Sequence, residues 1–211
     1  SWFSALCDDD YEFLGVPNFD LASSWKHCRD IALTADRNGF DNILLPSGYA
    51  LGIDSTAFAA GIAPQVEQIS LLLAVRMGEM WLPQLARQLG TIDQMLDGRL
   101  TINIISSDIP GEALESAPRY QRTLEWMRVL RQLLNGESID FHGDFVDLEL
   151  DPPRIRTVSG TCPPFYFGGF SPAAKETAAA ADVFLTWPDT VASVGETIQD
   201  MTERAERHNR E

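Results

Sequence analysis

Short apolar runs alternate along the chain with longer stretches in which apolar residues recur at helical spacing. Continuous apolar runs such as Ile69–Val75 are typical of strands buried on both faces of a sheet. The predicted strands are Trp2–Cys7, Asn42–Leu45, Ile69–Val75, Leu100–Ile105, Pro164–Phe167 and Val183–Thr186. The predicted helices are Ser24–Asn38, Thr56–Ile62, Leu82–Leu96, Tyr120–Leu134, Pro172–Ala181 and Val191–His208. Between them, 138–163 is predicted to be a β-hairpin excursion, because apolar and polar residues alternate about His142-Gly143-Asp144.

This alternation of strands and helices predicts an α/β fold with a parallel sheet. A doubly wound sheet and a (β/α)8 barrel both fit the order of elements. A complete barrel usually needs about 250 residues, and a parallel barrel of six strands would leave two free edges. We therefore expect one domain over 1–211 that is either an open sheet or a barrel whose C-terminal part is missing. Periodicity alone leaves this choice open.

Acidic residues outnumber basic ones, 31 to 16, and give the 211-residue chain a formal net charge of −15. Such a surface repels phosphate backbones and anionic lipids, which argues against nucleic-acid and membrane-surface partners. The longest apolar runs are too short to cross a bilayer, and we expect no signal peptide. Its three cysteines and three histidines are scattered, so we expect a reduced, cytoplasmic protein without a structural metal.

The strongest local signal for a binding site lies in Phe165–Ser171, where a strand ends in two glycines and a serine directly before a helix. Gly168 and Gly169 let the backbone approach a ligand. Ser171 can cap the helix, whose free N–H groups attract phosphate. The alternative is an ordinary strand-to-helix turn with a serine cap.

Four further residues each have two interpretations on the sequence alone. Arg119 and Tyr120 could bind the same anion, but a surface arginine beside a core tyrosine is favoured. Arg76 directly follows a buried strand, so its charge faces the mouth of the fold or a partner. Asn103 lies inside an apolar strand, where its amide either pairs within the core or contacts a ligand.

The residue types that are absent narrow the chemistry. Both lysines fall in predicted helices, and no histidine follows a strand, which disfavours Schiff-base and imidazole catalysis. No Gly-x-Gly-x-x-Gly follows the first strand, which disfavours a Rossmann dehydrogenase. A site built from Trp, Tyr, Phe, Ser and Arg suits an enzyme whose cofactor performs the chemistry.

A series of motifs resembles the bacterial luciferase-like, flavin-dependent monooxygenases, above all their alkanesulfonate monooxygenase branch. The motifs are Asp41–Gly48, Leu73-Ala74-Val75-Arg76 with Gly78, Leu96–Asn103, Arg119-Tyr120, Tyr166–Gly169 with Ser171, and Leu185-Thr186-Trp187. The resemblance implies a (β/α)8 barrel that binds reduced FMN (FMNH2) at its carboxyl-end mouth, with further site residues beyond Glu211. It also implies that reduced FMN, supplied by a separate NAD(P)H-dependent FMN reductase, and O2 convert an alkanesulfonate to an aldehyde and sulfite. Such proteins form dimers or tetramers.

The resemblance also implies roles for individual residues. The residues expected at the flavin phosphate are Gly169, Ser171, Arg119 and Tyr120. Those expected along the isoalloxazine ring and ribityl chain are Asn103, Ser47 and Gly48. Trp187 and Arg76 are expected to line the cavity where substrate and flavin meet. The alternatives are a luciferase-like monooxygenase of another small molecule, a non-catalytic flavin-binding barrel, and a phosphate-binding isomerase-type barrel without flavin.

Overall fold

The computed structural model describes the backbone of Trp2–Phe3 and residues 24–49, 52–187 and 189–207. The strands are β1 (Trp2–Phe3), β2 (Asn42–Leu45), β3 (Ser70–Arg76), β4 (Leu100–Ile105), β5 (Ile139–His142), β6 (Asp147–Leu150), β7 (Phe165–Phe167) and β8 (Val183–Phe184). The helices are α1 (Trp25–Arg37), α2 (Ser55–Ile62), α3 (Leu82–Met95), α4 (Ser116–Asn135), α5 (Pro172–Ala178) and α6 (Val191–Arg207). Residues 4–7 of the predicted first strand and His208 of the predicted last helix lie outside the described residues.

Six strands form one parallel sheet in the order β1-β2-β3-β4-β7-β8. A helix connects each strand to the next in this order, as parallel neighbours require. The order follows the chain throughout, whereas a doubly wound sheet contains a point at which the order reverses. The sheet is therefore a series of successive βα units of a (β/α)8 barrel, and this decides between the two folds that fit the sequence.

The two faces of this sheet differ in composition. The face toward the helices is apolar and fully buried, with Ile43, Leu45, Leu71, Leu73, Val75, Ile102, Ile104, Phe165 and Phe167. On the opposite face, the strand register places Ala74, Asn103 and Tyr166 side by side. Asn42 and Thr101 lie on the same face, where Asn42 Nδ2 donates a hydrogen bond to Thr101 Oγ1 at 3.3 Å. Polar side chains are thus concentrated on the inner, barrel-facing side of the sheet.

Helix α4 begins at Ser116, four positions before the predicted start at Tyr120. Pro118 lies in its first turn, where the missing N–H removes no intrahelical hydrogen bond. The helix ends at Gly136, which has a left-handed φ of 79°. Arg119 and Tyr120 consequently lie inside a regular helix, and their side chains have fixed directions.

The hairpin formed by β5 and β6 is a separate antiparallel sheet. Its turn is held against α4 by Glu125, whose carboxylate accepts hydrogen bonds from three backbone N–H groups. The donors are Asp144 at 3.2 Å, Phe145 at 2.8 Å and Val146 at 3.1 Å. The excursion is therefore attached to the barrel helix at its tip.

Helix length and composition also bear on membrane association. The longest described helix, α4, spans 20 residues and buries Arg122 and Glu125. Among the described helices, none is both long and apolar enough to cross a bilayer.

Candidate active site

A cavity of about 470 Å³ lies at the carboxyl ends of the parallel strands. Its volume is in the range of small-molecule and cofactor sites, and parallel barrels bind their ligands at this end. Its polar lining residues are Ser47, Asn103, Ser106, Ser107, Tyr120 and Thr186. Besides Tyr120, its aromatic lining residues are Phe167, Phe170 and Trp187.

The structure brings most of the sequence-predicted site residues together at this cavity. Ser47, Asn103, Tyr120, Gly169 and Trp187 line it directly. The remaining predicted residues, Gly48, Arg76, Arg119 and Ser171, lie next to lining residues but do not form the wall. The nine predicted residues thus lie at one site. Five of them line the cavity, and the other four lie next to residues that line it.

Asn103 is the clearest candidate for a ligand contact. It lies on β4, is only 7% exposed and lines the cavity. None of the described residues forms a hydrogen bond with its side-chain amide. The amide is open to the cavity, so a group in the cavity can supply its hydrogen bonds. The structure therefore favours a ligand contact over pairing within the core.

The diglycine turn after β7 is packed too closely for side chains. A Cβ atom on Gly168 would lie 2.4 Å from the carbonyl oxygen of Leu185, and one on Gly169 would lie 2.6 Å from the Cβ of Ala174. Ser171 caps α5, accepting a hydrogen bond from the N–H of Ala174 at 3.2 Å. Ser171 forms the predicted cap, and the two glycines are needed for packing whether or not a phosphate binds here.

Tyr120 and Arg119 have different surroundings although they are adjacent in α4. The Tyr120 ring lines the cavity and packs edge-to-face on Phe167, with centroids 6.4 Å apart. The Arg119 guanidinium forms an ion pair with Asp108 in the loop after β4. To bind a phosphate, Arg119 would have to share or exchange this carboxylate.

Arg76 is buried at the carboxyl end of β3 and donates hydrogen bonds to two loops. Its Nη2 donates to the carbonyl oxygen of Ser47 at 3.1 Å. Its Nη1 donates to the hydroxyl of Ser107, and to the carbonyl oxygen of Asp108 at 3.2 Å. The Arg76 charge therefore joins the loop after β2 to the loop after β4.

Sequence reasoning did not select Ser106, Ser107 or Thr186, which also line the cavity. The signal that could have found them is position, because each lies within two residues of the carboxyl end of a strand, at the ligand-binding end of the sheet. Ser106 also accepts a hydrogen bond from Thr123 of α4 at 2.7 Å. The contacts of Arg76 had no comparable signal, because they depend on how the loop after β4 returns toward β3.

The described wall carries hydrogen-bonding and aromatic groups, and Tyr120 supplies its one ionisable side chain. Its residues include no His, Lys, Cys, Asp or Glu. Burial raises the pKa of Cys162 to about 12, so that thiol stays protonated and is no nucleophile. No group of three or more His, Cys, Asp and Glu side chains suited to a metal occurs among the described residues. Such a wall can bind and orient a cofactor.

The sequential parallel sheet and its carboxyl-end cavity define an α/β-barrel protein with a ligand site of cofactor size. Comparison with known proteins specifies the family. The luciferase-like monooxygenase family matches residues 14–211, and the chain belongs to this family.

Two curated relatives align with the whole chain. A protein named sulfoquinovose monooxygenase from Novosphingobium aromaticivorans is 61% identical, and the match covers 100% of this chain and 60% of the relative. One of the same name from Agrobacterium fabrum is 47% identical, with 100% of this chain and 55% of the relative covered. The chain thus spans a little over half the length of these relatives.

A solved structure supports the fold. Riboflavin lyase, determined with modified FMN and riboflavin, superposes with a TM-score of 0.85 at 14% identity. The match covers 99% of this chain and 58% of the lyase. At this identity the likeness concerns the fold alone.

Proposed function

We propose that the cavity binds reduced FMN and that the protein uses it with O2 to release sulfite from an organic sulfonate. The observation that carries the proposal is Asn103, a buried amide that lines the cavity of a luciferase-like monooxygenase and has no partner among the described residues. Bound reduced FMN would supply the oxygen chemistry that no described wall residue can supply. The residues of the chain would bind the flavin, orient it and shield it from water.

The polar residues suggest an orientation for the flavin. Ser47 and Asn103 lie on the walls formed by β2 and β4, where they can hydrogen-bond the ring and ribityl chain, with Gly48 next to Ser47. Gly169 and Tyr120 lie on the walls formed by the β7–α5 turn and α4, which is where we place the phosphate end. This placement retains the phosphate role proposed for Ser171 and Arg119, which adjoin these two lining residues.

The phosphate assignment is testable with a double variant, Arg119→Ala with Ser171→Ala. Loss of two hydrogen bonds to a charged phosphate should weaken FMN binding by about 3 kcal/mol or more, at about 1.5–3 kcal/mol each. Anaerobic titration with photoreduced FMN measures the effect. Riboflavin, which lacks the phosphate, should bind wild type and variant alike. Equal affinity of both proteins for FMN would show that the phosphate lies elsewhere.

For the substrate, we propose a sulfonated sugar in preference to a simple alkanesulfonate. The two curated relatives are named sulfoquinovose monooxygenases, and sulfoquinovose is a sulfonated hexose. Hydroxyl groups of Ser106, Ser107 and Thr186 on the wall can pair with sugar hydroxyls. Each hydroxyl already has one protein partner, namely Thr123 for Ser106, Arg76 for Ser107 and the Trp187 carbonyl for Thr186. A sugar can use their remaining hydrogen-bonding capacity and an alkyl chain cannot, which favours the sugar.

The activity test uses the full-length protein with photoreduced FMN, O2 and one substrate at a time. We expect sulfite from sulfoquinovose and at least tenfold less from hexanesulfonate, with sulfite determined chemically and the organic product by mass spectrometry. Sulfite from hexanesulfonate but not from sulfoquinovose would indicate that the substrate is an alkanesulfonate. An oxidised product without sulfite would indicate a different monooxygenase reaction. Flavin binding without any coupled product would indicate a non-catalytic barrel, and no flavin binding would support an isomerase-type phosphate site.

Trp187 provides a matched test of which residues touch the reactants. It lines the cavity and is 73% exposed, whereas Trp81 is 66% exposed and does not line it. Trp187→Ala should lower sulfite formation by tenfold or more, and Trp81→Ala should leave it within twofold. Equal effects of the two substitutions would contradict a role for Trp187 at the reacting centre.

The proposal includes a separate NAD(P)H-dependent reductase as the source of reduced FMN. NAD(P)H and FMN should therefore give no sulfite until an FMN reductase is added. Direct oxidation of NAD(P)H by the protein would contradict this arrangement. Sedimentation of the full-length protein tests the expected dimer or tetramer.

A further inference from the structure

We infer that Arg76 is a positioning residue that fixes two walls of the cavity relative to each other. Its Nη2 donates to the Ser47 carbonyl oxygen at 3.1 Å, and its Nη1 donates to the Ser107 hydroxyl. Ser47 and Ser107 both line the cavity, from the loops after β2 and β4. Arg76 itself is 9% exposed and is not part of the wall.

The guanidinium group suits this task for geometric reasons. It is planar, always charged, and presents donors in a fixed fork, so the positions of its acceptors are set together. Hydrogen bonds from a buried charged donor are also about twice as strong as neutral ones. A lysine at this position would place one compact ammonium between the loops and could not hold both at these distances. The strand β3 below Arg76 is fully buried, so the anchor itself is rigid.

A second arginine provides an internal control. Arg122 of α4 is also buried and donates to Glu112 at 2.6 Å, in the same loop after β4. Neither residue lines the cavity, and the pair forms no hydrogen bond or ion pair with the described residues of the loop after β2. Weakening this pair loosens the loop after β4 without uncoupling it from Ser47. Glu112→Gln therefore separates general loop loosening from the loss of the connection that Arg76 makes.

Hydrogen exchange tests the connection without any ligand. The loop amides at 47–49 and 106–108 donate no hydrogen bond to a described residue, so exchange is followed at the paired ends of the adjoining strands, 43–45 of β2 and 103–105 of β4. In Arg76→Lys, both strand ends should exchange at least tenfold faster than in the wild type. Glu112→Gln should accelerate exchange only at the end of β4. Unchanged exchange at 43–45 in Arg76→Lys would overturn the inference. Arg76→Met removes both the charge and the donors, so it should increase exchange more than Arg76→Lys. If the methionine variant does not fold, Arg76→Lys decides the question.

The consequence for binding rests on the proposed function, in that the ligand is taken to be FMN. Displacing Ser47 and Ser107 weakens two hydrogen bonds to the flavin, and each is worth roughly five- to tenfold in affinity. Arg76→Lys should raise the Kd for reduced FMN by 10- to 100-fold, and Glu112→Gln should leave it within twofold. Adding guanidinium ion at millimolar concentration to Arg76→Ala should restore part of the affinity, and ammonium should not.

The outcomes separate the two hypotheses. If the wild type does not bind FMN, the proposed function fails while the exchange experiment still decides the role of Arg76. If the wild type binds FMN and Arg76→Lys binds it equally well, the positioning role is wrong and the proposed function stands. Equal losses of affinity in Arg76→Lys and Glu112→Gln would also overturn the inference, because they would indicate only general loosening of the loop.

Discussion

The two ends of the parallel sheet treat buried polar groups differently. At the amino ends of the strands, carboxylates are saturated with backbone hydrogen bonds. Asp36 accepts from the N–H groups of residues 67–69 at 2.7–2.9 Å, directly before β3. Asp182 accepts from the N–H of Phe165 at 2.8 Å, at the start of β7, and pairs with Arg131. These groups determine where strands begin.

At the carboxyl ends, buried polar atoms lack partners. The Nε atoms of Arg76, Arg119 and Arg122 are buried without a hydrogen-bond partner among the described residues. The Asn103 amide is open to the cavity and also forms no hydrogen bond with a described residue. Such groups are costly in a finished core, since each unsatisfied group costs about 1–3 kcal/mol. This difference indicates that the polar groups at the amino ends of the strands stabilise the fold, whereas those at the carboxyl ends form a ligand site.

The largest expected change in stability comes from a substitution at the amino ends of the strands. Asp36→Asn replaces one carboxylate oxygen with an NH2 group that faces backbone donors, so we expect a loss of about 3 kcal/mol in the free energy of unfolding. Urea unfolding measures it. Asp30→Asn is the control, because Asp30 lies on the same helix, is exposed and, within the part of the chain that the structure describes, pairs only with neighbouring Arg29. It should change stability by less than about 0.5 kcal/mol. Equal effects would contradict the scaffold role of Asp36.

An intermediate effect is expected where the cavity wall depends on close backbone packing. Gly168→Ala would place a methyl group 2.4 Å from the Leu185 carbonyl oxygen, which should cost about 2 kcal/mol of stability. Gly195→Ala is the matched control, since a Cβ there meets nothing within 4 Å. In the interior of α6 this change should stabilise by roughly 1 kcal/mol. Thermal unfolding of both variants checks the opposite signs, and two stabilising substitutions would contradict the packing argument.

A smaller effect on stability is expected at acidic pH. Burial alone would raise the pKa of Asp36, but hydrogen bonds from Glu67, Ile69 and Gln68 and the charge of Arg99 outweigh it and lower the pKa. The unfolded-state pKa is about 3.9. Because the folded-state pKa is lower, the stabilisation is complete above the unfolded value and is lost as pH falls through the folded one. The stability gap between wild type and Asp36→Asn should therefore shrink below about pH 4. A stability difference between the two proteins that does not change with pH would contradict the lowered pKa of Asp36.

The sequence predicted the order of elements well because strand burial and helical periodicity are local properties. It did not predict that α4 begins at Ser116, since Pro118 resembles a helix breaker although a first turn tolerates it. It left the two α/β folds open, because the lateral order of strands is a long-range property. For the site, the family resemblance led to Ser47 and Trp187, and the position of an amide inside an apolar strand led to Asn103; all three line the cavity. It did not reveal that Arg76 supports the wall, because a loop distant in sequence supplies its acceptors.

The central claim is that the Asn103 amide, which faces the cavity without a partner among the described residues, is kept for a flavin, and Asn103→Leu tests it most directly. The substitution keeps the approximate volume and removes an amide without described partners. We expect a gain of about 1 kcal/mol in the free energy of unfolding. Asn42→Leu, on the same face but hydrogen-bonded to Thr101, should give no gain.

The decisive measurement titrates wild type and Asn103→Leu anaerobically with reduced FMN and determines their unfolding free energies in the same buffer. The account predicts that the variant is more stable but binds FMN at least tenfold more weakly. A variant that binds FMN as tightly as the wild type, or that is less stable, would contradict it.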